Sequence, residues 1–251
     1  MKKTLSLGLS LFLLMVCSFQ IQAAYELVWS DEFDCDYLNT SVWSYEIGGG
    51  GWGNGESQYY TNRTDNASVS NGILTITGKR EDYNGSQFTS ARIISRNKVM
   101  CKYGRIEALI KVPNYTSGVW PAFWMLGTAR GGNWPFCGEI DILEMMCNSD
   151  PTSGNRSINT YHWNYQGING AYAHGEWGLS HTFNEQLGAK WRIYGLEWTP
   201  NNMVGYVADA DGSNKHYIAN MGLNEATDAN GLGAFKDHEF FLILNIALGG
   251  S

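Results

Sequence analysis

The chain contains many short β-prone runs, each ended by turn residues, and no sustained helical period. β-branched and aromatic residues suit a pleated, half-buried surface, so we interpret these runs as strands. Turn signals such as Asn71-Gly72, Asn84-Gly85 and Asp211-Gly212 separate them. Strands at this density, without helices between them, predict an all-β sandwich or barrel. The predicted strands are Tyr25–Trp29, Gly72–Thr77, Arg105–Val112, Gly118–Leu126, Gly138–Met146, Arg192–Trp198, Met203–Ala208 and Glu239–Ala247.

The first residues have the pattern of a secretion signal and not of a strand. Lys2 and Lys3 precede an apolar run that ends at Phe19, and Ile21-Gln22-Ala23 resembles a small-residue cleavage site. The run is shorter than the about 20 residues that a membrane-spanning helix needs. We therefore expect residues 1–23 to be a signal peptide and the mature protein to be secreted, periplasmic or extracellular, without a transmembrane segment. Residues 24–251 contain no linker and no repeat, so we expect one domain.

The cysteines bear on export in two ways. Cys17 allows an alternative N-terminus, anchored to a lipid, although bacterial lipidation sites usually carry a smaller residue than Val16 before the cysteine. Export permits disulfides, and four further cysteines would allow three complete pairings or remain free thiols. One pairing is disfavoured if a single strand joins its members, because ten steps span roughly 30 Å and a disulfide needs Cα atoms within about 7 Å. These cysteines are Cys35, Cys101, Cys137 and Cys147, and the disfavoured pair is the last two.

Charge and aromatic content narrow the class of partner. The formal net charge is −7, and there is no basic run, zinc-ligand spacing or nucleic-acid motif. An acidic protein repels polyanions at long range, which argues against nucleic acid and heavily sulfated polysaccharides as partners. The 10 tryptophans and 14 tyrosines either fill a core or form platforms on which sugar rings stack.

Three acidic residues lie close together in one predicted strand, Gly138-Glu139-Ile140-Asp141-Ile142-Leu143-Glu144. Side chains alternate faces along a strand, so Glu139 and Asp141 share one face while Ile140 and Ile142 point to the core. One extra residue, a β-bulge, would return Glu144 to the face of the other two acids. Like charges on one face of an apolar strand cost stability. The alternatives to an active site here are a calcium site and a solvated acidic edge.

Paired carboxylates are the groups that glycoside hydrolysis requires, one as nucleophile or base and the other as proton donor. Retaining enzymes hold them about 5–5.5 Å apart and inverting enzymes roughly 6.5–9.5 Å apart. The strand spacing alone does not choose between these two geometries.

The same segment resembles the catalytic-strand motif of glycoside hydrolase family 16, in the laminarinase-like form that carries the extra bulge residue. Lichenase-like members lack that residue. Further motifs follow in the order of the family and cover nearly all of residues 25–251. They are Leu27-Val28-Trp29-Ser30-Asp31-Glu32-Phe33, Gly53-Asn54-Gly55-Glu56-Ser57-Gln58-Tyr59-Tyr60-Thr61, Ser90-Ala91-Arg92-Ile93, Tyr103-Gly104-Arg105-Ile106-Glu107, Gly118-Val119-Trp120-Pro121-Ala122-Phe123-Trp124-Met125-Leu126, Tyr194-Gly195-Leu196-Glu197-Trp198-Thr199-Pro200 and Leu244-Asn245-Ile246-Ala247-Leu248-Gly249-Gly250.

The resemblance implies a concanavalin A-like β-jelly-roll sandwich with an open substrate cleft on its concave sheet. It implies a monomeric, retaining endo-glycosidase that acts on β-1,3-glucan or mixed-linkage β-glucan. Glu139 would be the nucleophile, Glu144 the acid and base with a raised pKa, and Asp141 a hydrogen-bonding partner of the nucleophile. No cofactor is required, although the family makes a structural calcium site a candidate.

Seven further residues are implied to bind substrate in the cleft. Trp120 and Trp124 lie four residues apart on a predicted strand and so share a face, where they stack on sugars or belong to the core. A lone histidine is more often structural, so the assignment of His162 depends on the resemblance. The full set is Asn54, Glu56, Arg92, Trp120, Trp124, Trp134 and His162.

Two alternatives and one departure from the family stay open. Family 16 also contains agarases, carrageenases, lichenases and transglycosylases, and some of its relatives are glucan-recognition proteins without turnover. Those binding proteins have lost the catalytic glutamates, whereas Glu139 and Glu144 are present here. Members usually continue beyond the segment that ends at Gly250, so we expect the domain to lack the family's last strand. That loss would expose a sheet edge.

Overall fold

The computed structural model describes residues 25–166, 171–227 and 229–250. The predicted signal peptide, residues 1–23, and the lipidation candidate Cys17 lie outside these described residues. Across the described ranges, no helix is both long enough and apolar enough to cross a membrane.

Nearly all regular structure in the described residues is β. The helical segments are short: α1 (Ala234–Asp237) and three single 3-10 turns at Ala129–Gly132, Pro151–Asn155 and Leu187–Ala189. The strands are β1 (Ser44–Glu46), β2 (Gln58–Tyr60), β3 (Ala67–Ser70), β4 (Ile73–Ile76), β5 (Lys79–Tyr83), β6 (Ser86–Ser90), β7 (Arg92–Ile94), β8 (Met100–Cys101), β9 (Gly104–Ile110), β10 (Val119–Gly127), β11 (Glu139–Glu144), β12 (Arg156–Gln166), β13 (Tyr172–Thr182), β14 (Arg192–Trp198), β15 (Asn202–Asp209), β16 (His216–Gly222) and β17 (Phe240–Leu248).

Two antiparallel sheets form the body of the fold. The larger has the order β1-β7-β17-β10-β11-β12-β13, with β8 also paired to β17, and the smaller has the order β16-β15-β14-β9. Ile140 and Ile142 of the larger sheet belong to the same buried cluster as Tyr194 and Leu196 of the smaller one. The hydroxyl of Tyr161 donates to the carbonyl of Ala219 across the two sheets, at 3.3 Å. The prediction of an all-β sandwich is therefore confirmed.

Seven of the eight predicted strands are present, each within two residues of its predicted ends. The prediction of a strand at Tyr25–Trp29 is wrong, because these residues pair with no neighbouring strand in the described chain. Their side chains are exposed, including Leu27 and Val28. β-propensity reflects how well a residue fits a half-buried sheet surface, and it makes no strand where there is no hydrogen-bonding neighbour.

The four cysteines of the predicted mature chain are free thiols in the structure. This agrees with the free-thiol alternative and with none of the three pairings. Cys137 and Cys147 are buried at either end of the segment that contains β11. Burial raises the pKa of Cys137 to about 11 and that of Cys101 to about 12, so both thiols stay protonated at neutral pH.

Strand β10 shows how the larger sheet presents a functional surface. Phe123 and Met125 are buried in the core, while Trp120, Trp124 and Leu126 alternate with them on the opposite face. We call this opposite face of the larger sheet, which carries Trp120 and Trp124 of β10, the cleft face. Its strands position every carboxylate of the candidate site.

Candidate active site

A β-bulge on β11 places the three acidic residues on the cleft face. Asp141 lies opposite Trp124 of β10, whereas Glu144 lies opposite Ala122, so three steps along β11 match only two along β10. The same shift appears against β12. Trp124 and Ala122 share the cleft face, so Asp141 and Glu144 both project there. The predicted bulge is confirmed.

The bulge has its own buried partner. The side chain of Asn159 on β12 donates to the carbonyl of Ile142, the residue that the bulge removes from the regular ladder. Asn159 is fully buried, and a Cβ built on Gly205 would lie only 2.5 Å from its Oδ1. A glycine on β15 therefore leaves the space that Asn159 occupies. Neither residue was singled out in the sequence.

Each of the two glutamates accepts a hydrogen bond from its own tryptophan. Trp134 Nε1 donates to Glu139 Oε2 at 3.0 Å, and Trp120 Nε1 donates to Glu144 Oε1 at 3.0 Å. Asp141 lies between them and is buried, with its Oδ2 atom making no hydrogen bond. An indole N–H is only a donor, so it favours the carboxylate form of the group it contacts.

His162 connects the carboxylates of β11 to the neighbouring strand β12. It pairs directly with Glu139 across β11 and β12. Its Nε2 atom lies 3.4 Å from Asp141 Oδ2 and 3.7 Å from Glu139 Oε1. On its other side, Nδ1 lies 2.9 Å from Nε2 of His174. His162 thus faces the acids of the site with one nitrogen and a second histidine with the other.

Burial is the main electrostatic influence on the three acids. It raises the pKa of Glu139 well above its usual range, and the charges of Asp141 and Glu144 raise it further. Burial followed by the charge of Glu144 raises the pKa of Asp141. Burial also raises the pKa of Glu144, while the hydrogen bond from Trp120 opposes that shift. The raised pKa expected for Glu144 agrees with this direction, and desolvation is its largest cause.

Replacing Asp141 with asparagine is expected to stabilise the fold at neutral pH. A carboxyl whose pKa is raised by folding contributes stability below its unfolded pKa of about 3.9, and loses it as pH rises through the folded value. Asparagine has no charge to bury, so we expect Tm at pH 7 to rise by about 2–4 °C, the response of a domain of this size to about 1 kcal/mol.

Thermal unfolding followed by circular dichroism across pH 4 to 8 measures this effect, and the gain should shrink as the pH falls toward about 4. Asp82→Asn removes an exposed charge and controls for net charge. A lower Tm for Asp141→Asn than for the wild type at pH 7 would contradict the prediction.

The three tryptophans predicted to bind substrate surround the acids. Trp120 and Trp124 share the cleft face, as predicted, and both are partly exposed. Trp134 is about half exposed, and its ring centroid lies 6.3 Å from that of His162. Since Trp120 and Trp134 already hold Glu144 and Glu139 by their indole N–H groups, they both position the acids and border the space above them.

Arg92 lies further from the acids and has protein partners of its own. Its Nε atom is 2.5 Å from Glu46 Oε2. Its guanidinium lies over the rings of Trp52 and Trp124, at 4.9 and 4.6 Å from their centroids. Cation–π contacts of this kind attract the guanidinium to the faces of both rings. The structure thus shows Arg92 supporting the tryptophan platform, and its contact with substrate stays a prediction.

Asn54 and Glu56 belong to a network of hydrogen bonds that reaches the cleft face through Asn245, the partner of Ala122. Glu56 accepts from Asn54 Nδ2 at 3.2 Å, from Gln58 Nε2 at 2.5 Å and from the hydroxyl of Tyr60 at 3.0 Å. Glu56 is buried, so this network holds the loop and leaves the carboxylate little access to solvent.

The network continues to Trp124. Asn245 Nδ2 donates to the Tyr60 hydroxyl at 3.0 Å, and Trp124 Nε1 donates to Asn245 Oδ1 at 2.7 Å. Gln58, Tyr60 and Asn245 stand inside the family-like motifs, but no role was predicted for them. A polar residue in an otherwise apolar strand, as Asn245 is in β17, was the available signal.

Two groups of nearby side chains among the described residues could hold a metal ion, and both contain His162. One is Glu139, Asp141 and His162, and the other is His162, His174 and Glu176. Calcium prefers oxygen ligands alone, so neither group suits the structural calcium that the family resemblance suggested. The calcium site stays a prediction.

The chain is similar in sequence to known glycosyl hydrolases. The family model for glycosyl hydrolases family 16 matches residues 54–220. The chain is similar to a beta-glucanase of Rhodothermus marinus, with 37% identity over 90% of this chain and 77% of that protein. It is also 37% identical to the clotting factor G alpha subunit of Tachypleus tridentatus over 90% of this chain, which spans only 30% of that longer protein.

A solved structure is similar to this chain in both fold and sequence. The laminarinase catalytic domain from Thermotoga maritima MSB8 superposes with a TM-score of 0.74 at 36% identity. The match covers 90% of this chain and 88% of that one. The jelly-roll architecture expected from the sequence is confirmed by this likeness.

Proposed function

The chain belongs to glycosyl hydrolase family 16, and from this premise we propose that it is a retaining endo-glycosidase that hydrolyses laminarin-type β-1,3-glucan. One observation carries the proposal. Glu139 and Glu144 share the cleft face, each with an indole N–H donor, and Asp141 lies between them. Two carboxylates on one open face are the groups that a double displacement needs.

We assign the first step to Glu139 as nucleophile and Glu144 as acid. The Glu139 carboxylate attacks the anomeric carbon while protonated Glu144 gives its proton to the departing glycosidic oxygen. Burial raises the pKa of both glutamates, so their roles are assigned from their positions in the family motif. A raised pKa suits the acid role of Glu144, because an acid must hold its proton near the operating pH. The product is a glycosyl ester on Glu139 and a free chain end.

In the second step, Glu144 acts as base. It takes a proton from water, the water attacks the anomeric carbon, and the ester bond to Glu139 breaks with net retention. His162 Nε2 lies close to both Glu139 and Asp141, and we propose that His162 and Asp141 tune the charge of Glu139. Trp120, Trp124 and Trp134 are proposed to form the walls against which the sugar rings stack.

The relatives favour β-1,3-glucan as the substrate, since the matched proteins are named beta-glucanase and laminarinase. Mixed-linkage β-glucan is the next candidate, and an agar-type galactan follows it. The formal net charge of −7 makes a sulfated galactan unfavourable. We also propose a secreted protein that acts as a monomer, without nucleic acid as a partner.

Release of reducing ends tests the proposal and the substrate class together. Residues 24–251 are incubated with laminarin, mixed-linkage glucan, agarose and carrageenan, and the products are sized by chromatography. We expect laminarin to be cleaved fastest and to give a ladder of internal cuts. Binding of laminarin by folded protein without cleavage of any substrate would instead support a carbohydrate-binding jelly roll.

A further inference from the structure

Two histidines and one glutamate meet on the cleft face beside the acids. His162 of β12 pairs with Glu176 of β13, and His174 lies two residues before Glu176 on the same strand. Residues two apart on a strand share a face, so all three side chains project the same way. His162 Nδ1 lies 2.9 Å from His174 Nε2 and 3.7 Å from Glu176 Oε2.

These distances suit a transition-metal ion. Two ligands held about 2.0–2.1 Å from a tetrahedral zinc ion are roughly 3.3 Å apart. The three candidate ligand atoms all lie within 4.8 Å of one another, and the carboxylate of Glu176 is largely exposed and free to adjust. Two histidines with one glutamate are a donor set that zinc accepts, with water as a fourth ligand.

The far side of His162 supplies a second, independent observation. A histidine that binds a metal through one nitrogen usually donates its other N–H to a carboxylate, a backbone carbonyl or a water molecule. His162 Nε2 faces Asp141 Oδ2 at 3.4 Å, and this buried oxygen makes no hydrogen bond. A metal on Nδ1 would fix the proton on Nε2 and point it at Asp141.

We propose that His162 Nδ1, His174 Nε2 and the Glu176 carboxylate form a binding site for a zinc-like divalent transition-metal ion, and that its occupation inhibits the enzyme. Binding moves the proton that lies between the two imidazoles to the far nitrogen of the ring that carries it, so both rings bind the ion as neutral ligands and no net proton is lost. The ion places positive charge on the ring that faces Glu139, which weakens the carboxylate as a nucleophile, and it fills part of the cleft beside Trp134. The proposed inhibition depends on the proposed glycosidase activity, whereas the proposed metal binding does not.

The alternative group, Glu139, Asp141 and His162, is the less suitable site. Asp141 is buried, and Glu139 already accepts a hydrogen bond from Trp134. By contrast, Glu176 opens directly to solvent, so a hydrated ion can reach the outer group.

Calorimetric titration of the mature protein with zinc sulfate tests the site without any substrate. We expect one ion per chain, at least about tenfold weaker binding for Glu176→Gln, and a larger loss for His174→Ala. Glu225→Gln, which removes another exposed carboxylate, should bind zinc as the wild type does. Cobalt titration should give the visible absorption of a four-coordinate ion, and magnesium should not bind.

Hydrolysis assays then test whether occupation of the metal site inhibits the enzyme. Zinc should inhibit the wild type, and Glu176→Gln should need at least about tenfold more zinc for the same inhibition. Equal zinc affinity in the wild type, Glu176→Gln and His174→Ala, each shown to be folded by circular dichroism, would overturn the proposal. A protein that binds zinc through this group but cleaves no glucan would retain the site and refute only the proposed activity.

Discussion

Replacing Glu139 with glutamine is expected to lower kcat/KM on laminarin by about 10⁴-fold or more, the scale on which loss of a covalent nucleophile acts. Glutamine keeps the shape of the side chain and can still accept from Trp134, but its amide cannot form the glycosyl ester. Binding should survive, because the tryptophans that border the site are unchanged. Initial rates of reducing-end release, together with affinity electrophoresis in laminarin, measure both parts.

Two controls make this result specific. Glu225→Gln is an isosteric change at an exposed glutamate and should keep full activity. A circular dichroism melt shows whether the Glu139→Gln protein is folded. Loss of a general acid or base alone costs about 10²–10⁴-fold in rate, so loss of the nucleophile must cost at least that much. If folded Glu139→Gln protein retains more than about a hundredth of wild-type activity, Glu139 is therefore not the nucleophile.

Replacing Glu144 with glutamine is expected to reduce activity on laminarin by about 10²–10⁴-fold, the usual contribution of general acid–base catalysis. The loss should depend on the leaving group. From an aryl laminarioside with an acidic phenol, the phenolate leaves without needing a proton. The first step should therefore proceed, and the glycosyl ester on Glu139 should accumulate. Mass spectrometry of the intact protein detects that ester as an added glycosyl mass.

Azide provides the complementary measurement for this residue. In a Glu144→Ala protein, the vacated space admits an anion that attacks the ester without general-base help, so added azide should restore turnover and yield a glycosyl azide of retained configuration. A Glu144→Gln protein that loses activity on laminarin and on the activated aryl substrate to the same extent would argue that Glu144 is not the proton donor.

The local chemistry of β11 could be predicted because it depends only on neighbouring residues. Alternation along the strand assigned Ile140 to the core and Asp141 to the opposite face, and the misplaced Leu143 indicated the bulge. The structure agrees at each position. The predicted strand at Tyr25–Trp29 failed for the opposite reason. Its composition suited a strand, but a strand also needs a partner that no local pattern reveals.

Contacts between distant parts of the chain account for what the sequence did not predict. Tyr60 and Asn245 are 185 positions apart, yet their hydrogen bond links the loop of Glu56 to Trp124. His174 is brought to His162 by the register of β12 and β13, a pair of strands rich in polar residues and therefore weak in the strand pattern. The raised pKa values of Glu139 and Asp141 follow mainly from burial, which a sequence does not state, whereas a raised pKa was expected for Glu144 alone.

The bulge at Ile142 shifts the alternation of side chains between the two halves of β11. From Glu139 to Asp141, every second side chain faces the cleft. Beyond Ile142 this alternation is displaced by one residue, so that Glu144 faces the cleft as well. If the chain kept its length but the bulge did not form, regular alternation would place Leu143 on the cleft face and turn Glu144 into the apolar interior. Deleting one of the two residues between Asp141 and Glu144 would instead restore regular alternation and keep both glutamates on the cleft face without a bulge. The length of this strand and its bulge are therefore matched, and the bulge is as much a property of the site as the identity of the two glutamates.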